Sequence, residues 1–503
     1  MDGTMDGTMD GTKAESAYYP ESERLAELLA RIGASLDDKV RNPPIDPYLT
    51  RAQWEHLAHE PVPLTPAPVD ELVDELISLL IPNGGRVSDP GFWAFVTTAP
   101  TTAPLVAATA AALGAPVRYG FQAVNAIEER SLEWLGEIFG LPAHMKGLYS
   151  SGGSSANIVA MGAARQHAFE ARGLDPARDG VTGTPCAFYV SPETHHTILR
   201  AAAVLGIGRS SVREIPVDDN LHIRTDLLAE AIDADIAAGV LPIAVIANAG
   251  ATNTGTIDPL RAVATVAHDR GVWFHIDGAY GLPGYLDERV RPKYDGLELA
   301  DSIIVDPHKW LSAPAGIGVT FVRDRTILLR AFTQGPADYL EGSFADDGRI
   351  GVSLDSPGIP YGDFGLELTA PSRGIQVWAI LREQGVSGLT ERIRRDNDFA
   401  TYVARTATDD PRLESLTNPD LSVACIRYIG DGSHSNDELN ELNRRIHRRL
   451  VRETEFLPST TVVKGAYTIR PCFISPRATW PLIEAFLPTV IRLGHEEVAG
   501  STP

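Results

Sequence analysis

The sequence predicts an α/β protein with a mostly parallel central sheet flanked by helices. Short apolar runs rich in β-branched residues alternate with helical patterns over most of the chain. Polar residues collect where these runs end, at Asn248, Asp277 and Asp306. Because the carboxyl ends of parallel strands meet at one edge of a sheet, we expect a functional site along that edge.

Length, composition and charge narrow the class of protein. The 503 residues exceed one ordinary core, so two or more domains are expected. A net charge of −22 argues against nucleic acid or an anionic membrane surface as a partner. The three cysteines, Cys186, Cys425 and Cys472, fit neither a metal site nor a disulfide framework, which predicts a reducing cytoplasm. No apolar run is long enough to span a membrane.

The N-terminal part is predicted to be helical and to lack a core of its own. Residues 1–12 repeat Met-Asp-Gly-Thr and are expected to form a disordered tail. Residues 13–100 form the next segment, with amphipathic helices predicted over 22–32 and 69–80. Two helices are too few to bury their own apolar faces, so we expect this segment to pack on another surface.

A Gly-Ser loop follows the first predicted core strand. Residues 149–157, Tyr-Ser-Ser-Gly-Gly-Ser-Ser-Ala-Asn, precede a helix predicted over 158–172. Backbone N–H groups at such a helix start can bind a phosphate, although an ordinary serine cap would have the same sequence. No Walker or GxGxxG pattern is present, so a nucleotide is not indicated.

A His-His pair follows the strand predicted over 186–190. Adjacent residues on a helix point apart, and no acidic partners follow His195 and His196, so a metal site is not predicted. The alternative to a functional role is a solvent-exposed histidine at a helix start. Further strands are predicted over 241–247, 272–277 and 303–305.

A lysine and an aspartate lie at the ends of two of these strands. Asp277 ends an apolar strand, where a carboxylate is costly to bury unless it is paired. Lys309 follows the next strand, where a desolvated amine could condense with an aldehyde. A surface lysine is the alternative for Lys309 taken alone. Together the two residues suggest pyridoxal 5′-phosphate (PLP), with the lysine forming a Schiff base and the acid keeping the pyridine nitrogen protonated.

The stretches Asp306-Pro307-His308-Lys309-Trp310 and His275-Ile276-Asp277-Gly278-Ala279-Tyr280 resemble the PLP-dependent group II amino-acid decarboxylases. The resemblance covers about residues 90–476 and implies PLP fold type I, the aspartate-aminotransferase-like fold, in a homodimer whose N-terminal helices lie across the partner subunit. It also implies an active site at the subunit interface.

The resemblance assigns roles to individual residues. His195 would stack on the PLP ring, with Ala279 on the other face and Gly153 and Ser154 at the phosphate. The implied cofactor-binding residues are Gly153, Ser154, His195, Thr252, Asp277, Ala279, His308 and Lys309. The implied substrate-binding residues are Phe95, Thr97, Thr98 and Arg470. An aromatic stretch such as the one around Phe95 is usually core, and a surface ion pair is an equal alternative for Arg470.

The segment 333–365 is rich in Gly, Asp, Pro and Ser and is predicted to be a long functional or mobile loop. In the resembled family, a tyrosine of such a loop donates a proton to the substrate α-carbon, and Tyr339 matches its position. The implied catalytic residues are therefore Lys309, Asp277, His195 and Tyr339.

Downstream of this loop, mixed strand and helix patterns predict a small C-terminal α/β domain at 373–503, after a large PLP-binding domain at 101–372. One strand is predicted over 462–469 in that domain.

The chain departs from the family at two positions. Asp306 stands where well-studied eukaryotic members have asparagine, so this extra acid must be paired or face away. Ala251 stands where a threonine is often found, with Thr252 next.

The predicted activity is PLP-dependent α-decarboxylation of an L-amino acid to the amine and CO₂. An aromatic or apolar substrate is favoured, although Arg118 could serve an acidic one. The alternative is an oxygen-dependent decarboxylation and deamination that yields an aldehyde. A transaminase is favoured less because the lysine context is wrong for one. A non-catalytic protein of this fold is favoured less because the lysine and the acid are intact.

Overall fold

The computed structural model describes residues 22–43, 48–114, 118, 122–333 and 361–500. The chain forms two compact units, Met1–Asp89 and Pro90–Pro503. The predicted domain boundaries at 100 and 372 remain predictions.

The first unit is helical in its described residues. Its helices are α1 (Ser22–Arg41), α2 (Arg51–Ala58) and α3 (Val69–Glu75), the last continued by a π-helical turn at Leu76–Leu80 and a short turn at Ile81–Asn83. Helix α1 is longer than predicted. Ion pairs between the arginines of α1 and the acids of α3, such as Arg31 to Asp70 at 2.9 Å, connect the two helices.

The second unit contains two sheets. Its strands are β1 (Phe92–Trp93), β2 (Lys146–Ser150), β3 (Cys186–Val190), β4 (Val212–Glu214), β5 (Leu241–Asn248), β6 (Trp273–Asp277), β7 (Ser302–Val305), β8 (Gly318–Val322), β9 (Leu413–Ser415), β10 (Ile426–Tyr428), β11 (Leu457–Val463) and β12 (Ala466–Arg470). Its helices are α4 (Thr102–Gly114), α5 (Gln122–Ile138), α6 (Gly153–Glu170), α7 (Pro176–Asp179), α8 (Thr197–Val204), α9 (Thr225–Ala237), α10 (Leu260–His268), α11 (Thr326–Phe332), α12 (Gly374–Asp409), α13 (Asn436–Glu453) and α14 (Trp480–Gly500).

The larger sheet has seven strands in the order β2-β8-β7-β6-β5-β3-β4. Strands β4, β3, β5, β6 and β7 are parallel to their neighbours in this order, whereas β8 is antiparallel to both β7 and β2. Strands β5, β6 and β7 are buried along their whole length. This burial explains their near-continuous apolar sequences, because helices cover both faces of such a sheet.

The smaller sheet has the order β1-β11-β12-β10-β9 and joins distant parts of the chain. Trp93 of β1 is fully buried and packs against Phe456, Phe473 and Phe486. The aromatic stretch of 92–95 therefore supplies at least one core residue.

The single strand predicted over 462–469 is wrong. Two antiparallel strands, β11 and β12, pair there through Val463 and Ala466. Lys464 and Gly465 form the turn between them, and both have positive φ angles, 48° and 81°. Two-residue hairpin turns of this kind match the twist of the flanking strands, but a Lys-Gly pair is a weak sequence signal.

In the described part of the chain, no helix is both long and apolar enough to cross a membrane. The cysteines Cys186, Cys425 and Cys472 are buried and carry free thiols. Burial raises the pKa of Cys425 and of Cys472 to about 11, so these thiols are held in the unreactive protonated form.

Candidate active site

A cavity of about 310 Å³ lies where strands β2, β5, β6 and β7 end. This volume is at the lower end of the range for small-molecule sites. Its lining residues come from the loops after these strands and after β3, from the starts of α6 and α8, and from the segment before β8. They are Ser151, Gly152, Gly153, Ser154, Asn157, His195, Thr197, Gly250, Thr252, Asp277, Ala279, Tyr280, Asp306, His308, Lys309 and Gly316. All eight residues implied as cofactor contacts line this one cavity.

The Lys309 amine lies in the turn that follows β7. The Lys309 N–H donates to the Asp306 carbonyl at 2.9 Å, and this short turn directs the side chain into the cavity. Its Nζ lies 3.0 Å from Asp306 Oδ2, and the lysine side chain is 20% exposed. Asp306 is therefore paired, as the sequence requires of a buried acid at this position. Its Oδ1 is buried without a hydrogen-bond partner among the described residues.

The Asp277 carboxylate is fixed at both oxygens at the end of β6. Oδ1 accepts the backbone N–H of Ala279 at 3.1 Å, and Oδ2 accepts Nδ2 of Asn157 at 3.1 Å. Asp277 remains 7% exposed, and that exposure is toward the cavity it lines. The carboxylate thus keeps acceptor capacity for a ligand N–H.

The Gly-Ser loop and the first turn of α6 form one wall of the cavity. Gly152 adopts φ 109°, a conformation that favours glycine. A Cβ on Gly153 would come within 2.5 Å of Asp306 Oδ2, so a side chain at 153 would force the Asp306 carboxylate to move. Helix α6 begins there, and its first backbone N–H groups and Ser154 provide donors of the kind that bind phosphate.

Of the two adjacent histidines, His195 lines the cavity and His196 is exposed. His195 Nδ1 accepts the backbone N–H of Thr197 at 3.4 Å and lies 3.1 Å from its hydroxyl oxygen. Burial lowers the pKa of His195, which favours the neutral ring. His308 Nδ1 donates to the Ile317 carbonyl at 2.7 Å, so its other ring nitrogen is the acceptor in the neutral form.

Arg470 and the residues implied for substrate binding do not line this cavity in the described structure. Arg470 is buried, and its guanidinium donates to the carbonyls of Phe95 at 2.7 Å, Asn253 at 2.8 Å and Thr252. It therefore fixes the loop that carries Thr252. Phe95 is 68% exposed with a φ of 57°.

Two threonines implied for substrate binding also lie outside the cavity lining. Thr97 is half-buried and Thr98 is buried. Tyr339 lies outside the described residues, so its predicted role is not addressed by the geometry.

Arg118 is not available for an acidic substrate. It is 2% exposed and donates to the carbonyls of Tyr149 at 3.2 Å, Tyr361 at 3.1 Å and Glu367 at 2.8 Å. Its remaining charged contact is Glu128, at 3.6 Å. The arginine stabilises buried backbone rather than a ligand.

Eight of the lining residues were not among the implied contacts, and Asn157, Thr197 and Tyr280 are three of them. Asn157 lies in the buried second turn of α6, where asparagine is a poor helix former, and that mismatch is the available signal. Tyr280 stacks on Trp310 with 5.3 Å between ring centroids, and it links the Asp277 and Lys309 loops. Thr197 begins α8 and carries no sequence signal of its own.

The residues present fit PLP. The cavity offers an amine for covalent attachment and a carboxylate with free acceptor capacity for the ring nitrogen. The backbone at Gly153, where an added Cβ would meet a neighbouring side chain, and Ser154 offer the hydrogen-bond donors that a phosphate requires. Among the described lining residues, Asp306 opposes a phosphate bound at this loop, and its pairing with Lys309 offsets part of its charge.

Comparison with known proteins also indicates a protein that uses PLP. The pyridoxal-dependent decarboxylase conserved domain matches residues 52–429. The chain is 32% identical over 354 residues to an aromatic-L-amino-acid decarboxylase of Bacillus atrophaeus, covering 70% of each protein. It is 28% identical to tryptophan decarboxylase 1 of Oryza sativa subsp. japonica, covering 88% of this chain and 89% of that relative.

The crystal structure of Oryza sativa TDC with PLP and tryptamine superposes with a TM-score of 0.86 at 26% identity, covering 95% of this chain and 99% of that one. The predicted fold type I and the predicted cofactor are thereby confirmed. The domain match, the relatives and the fold agree, and the chain belongs to the pyridoxal-dependent decarboxylase family as a PLP-dependent decarboxylase.

Proposed function

We propose that this protein removes the α-carboxyl group of an aromatic L-amino acid and releases the amine and CO₂. One observation carries the proposal: the Lys309 amine and the Asp277 carboxylate line a single cavity at the carboxyl edge of the parallel sheet. The aromatic preference is supported by the names of the relatives that the chain resembles over most of its length.

The charges around the cavity favour a neutral substrate side chain. No arginine is among its described lining residues, and the guanidinium groups of Arg118 and Arg470 donate to backbone carbonyls. Apart from Lys309, which is committed to the cofactor, a substrate with an acidic side chain would lack a lysine or arginine partner among these described lining residues, and an unpaired carboxylate is costly to bury.

Each described residue then has a defined task. When bound, PLP accepts the electron pair left on the α-carbon as CO₂ departs. Lys309 would provide the amine that attaches the cofactor. Asp277 would hold a proton at the ring nitrogen, and His195 and Ala279 would pack against the ring. The first turn of α6, with Gly153 and Ser154, would bind the phosphate.

Tyr339 is proposed to deliver the proton to the α-carbon. A general acid of this kind accelerates a step by roughly 10²–10⁴-fold. Tyr339→Phe should therefore bind PLP normally, lose amine formation by about that factor and release more aldehyde and peroxide. An unchanged ratio of amine to aldehyde would assign the proton to another group.

The decisive experiment measures products and oxygen together. Purified holoenzyme is given tryptophan, tyrosine, phenylalanine, DOPA and glutamate, and amine, aldehyde, CO₂ and oxygen uptake are quantified. The proposal predicts amine and CO₂ in equal amounts from an aromatic substrate, without oxygen uptake. Oxygen consumed in step with CO₂ would replace it with the aldehyde-forming alternative, and turnover of glutamate alone would overturn the substrate class.

We also propose that the enzyme works as a cytoplasmic homodimer with its active site at the subunit interface. The buried, free thiols of Cys186, Cys425 and Cys472 support a reducing compartment. The dimer follows from the family resemblance. Light scattering on the purified protein should give about twice the 54.2 kDa chain mass, and a monomer with full activity would contradict the proposal.

A further inference from the structure

We propose that Asn157 and His275 are positioning residues that keep a hydrogen-bond donor aimed at Asp277 and so set the protonation of the cofactor's ring nitrogen. The inference rests on the proposed function in one respect: Asp277 must face that nitrogen. Neither residue touches the reacting atoms, and His275 does not line the cavity.

The direction of the hydrogen bonds follows first from Asp277. Asn157 has one amide atom within 3.1 Å of Asp277 Oδ2 and 3.0 Å of the Thr197 hydroxyl oxygen. A carboxylate accepts and does not donate, so this atom is the NH₂ group. The carbonyl oxygen of the same amide then faces His275 Nε2 at 3.0 Å, and Nε2 must carry the hydrogen.

The other end of this series of hydrogen bonds, at Ser302, is compatible with the same direction. The Trp273 indole N–H can only donate, and it donates to Ser302 Oγ at 2.8 Å. The Ser302 hydroxyl hydrogen is thus free for His275 Nδ1, at 2.8 Å. His275 is fully buried, and burial lowers its pKa to about 4, so the ring is neutral with one acceptor and one donor. The Asn157 end therefore selects the Nε2–H tautomer, and the Ser302 end is compatible with it.

Asn157 also connects Asp277 to the second ring-contacting residue. Its NH₂ group has two hydrogens, one for Asp277 and one for Thr197. The Thr197 hydroxyl, having accepted, donates to His195 Nδ1 at 3.1 Å. One buried amide therefore contacts Asp277 directly and, through the Thr197 hydroxyl, His195, whose Nδ1 also accepts the Thr197 backbone N–H.

Without His275, no ring N–H would hold the Asn157 amide in this orientation. Its oxygen would be buried without a donor, which is costly, and half a turn of the amide would present oxygen to Asp277 instead. Asp277 would then lose a donor and gain a repulsive neighbour. The expected loss of turnover is roughly 10- to 100-fold, by analogy with outer partners of other functional groups.

The test reads the ring nitrogen directly. Holoenzyme is prepared with PLP carrying ¹⁵N in the ring, and its solid-state NMR shift is recorded for wild type and for Asn157→Asp, His275→Phe and His275→Gln. Asn157→Asp replaces the donor by an acceptor of the same shape. The first two variants should move the resonance toward the unprotonated ring, and His275→Gln, which keeps a side-chain N–H, should move it less.

Two controls separate the possible failures. Asn443→Asp alters an equally buried asparagine, which bonds to the Tyr428 backbone in the C-terminal domain; it should lower stability and leave the shift unchanged. Asp277→Asn must move the resonance, because otherwise the proposed placement of the ring is wrong. A shift that responds to Asp277→Asn but to neither His275→Phe nor Asn157→Asp would overturn the positioning role. If Asn157→Asp does not fold, the comparison of His275→Phe with His275→Gln decides.

Discussion

Glu128 gives a stability prediction whose size can be worked out from its surroundings. Its carboxyl group is fully buried on α5, and Arg118 approaches no closer than 3.6 Å. Burial is the main cause that raises the pKa of Glu128 from 4.5 to about 7, and the positive charges of Arg118 and Arg373 offset only part of it. The folded state therefore binds the proton more tightly than the unfolded chain.

The sign and magnitude follow from this difference. The contribution of Glu128 lowers the free energy of unfolding as the pH rises from about 4.5 to about 7. Above that range this contribution no longer changes with pH. A pKa difference of this size corresponds to about 3 kcal/mol, at about 1.4 kcal/mol per pKa unit. Glu128→Gln cannot ionise, so the stability of the variant relative to wild type should improve by up to that amount between pH 4.5 and pH 8.

The assay is urea unfolding of the purified protein, followed by circular dichroism at several pH values. Glu137→Gln on the same helix is the matched control, because that side chain is exposed, and it should leave the pH dependence unchanged. A difference between Glu128→Gln and wild type that does not vary with pH would refute the argument. A variant that loses stability at high pH would show that Glu128 acts as an ionised partner of Arg118.

Three further outcomes are expected from the site. Lys309→Ala should lose covalent cofactor and activity, and borohydride reduction that still labels another lysine would disprove the assignment. Asp277→Asn should retain PLP but decarboxylate far more slowly, since an amide cannot hold a proton on the ring nitrogen; near-normal turnover would remove Asp277 from the mechanism. Arg470→Gln should weaken PLP binding, measured by fluorescence titration, because the guanidinium fixes the carbonyls of Thr252 and Asn253. Unchanged affinity would mean that this loop holds its shape without Arg470.

The sequence by itself determined the fold class and the position of the chemistry. The spacing of apolar residues and the presence of polar residues at strand ends are local properties of the sequence. They were enough to place the strands that end at Asn248, Asp277 and Val305 without any knowledge of tertiary contacts. The motifs around Lys309 and Asp277 then gave the family and the cofactor.

Only the tertiary structure decided which polar side chains are free to act. Arg118 and Arg470 both suggested ligand binding in sequence, yet their donors are used by backbone carbonyls far away in the chain. The hairpin at Lys464 depends on two positive φ angles that the sequence does not specify.

Partners distant in sequence also define the network around Asp277. Asn157 reaches Asp277 and His275 across more than 100 positions, and its hydrogen-bond direction is set by all of its neighbours together. Hydrogen bonds between elements depend on packing, and a local pattern carries no information about which distant donor will meet which acceptor.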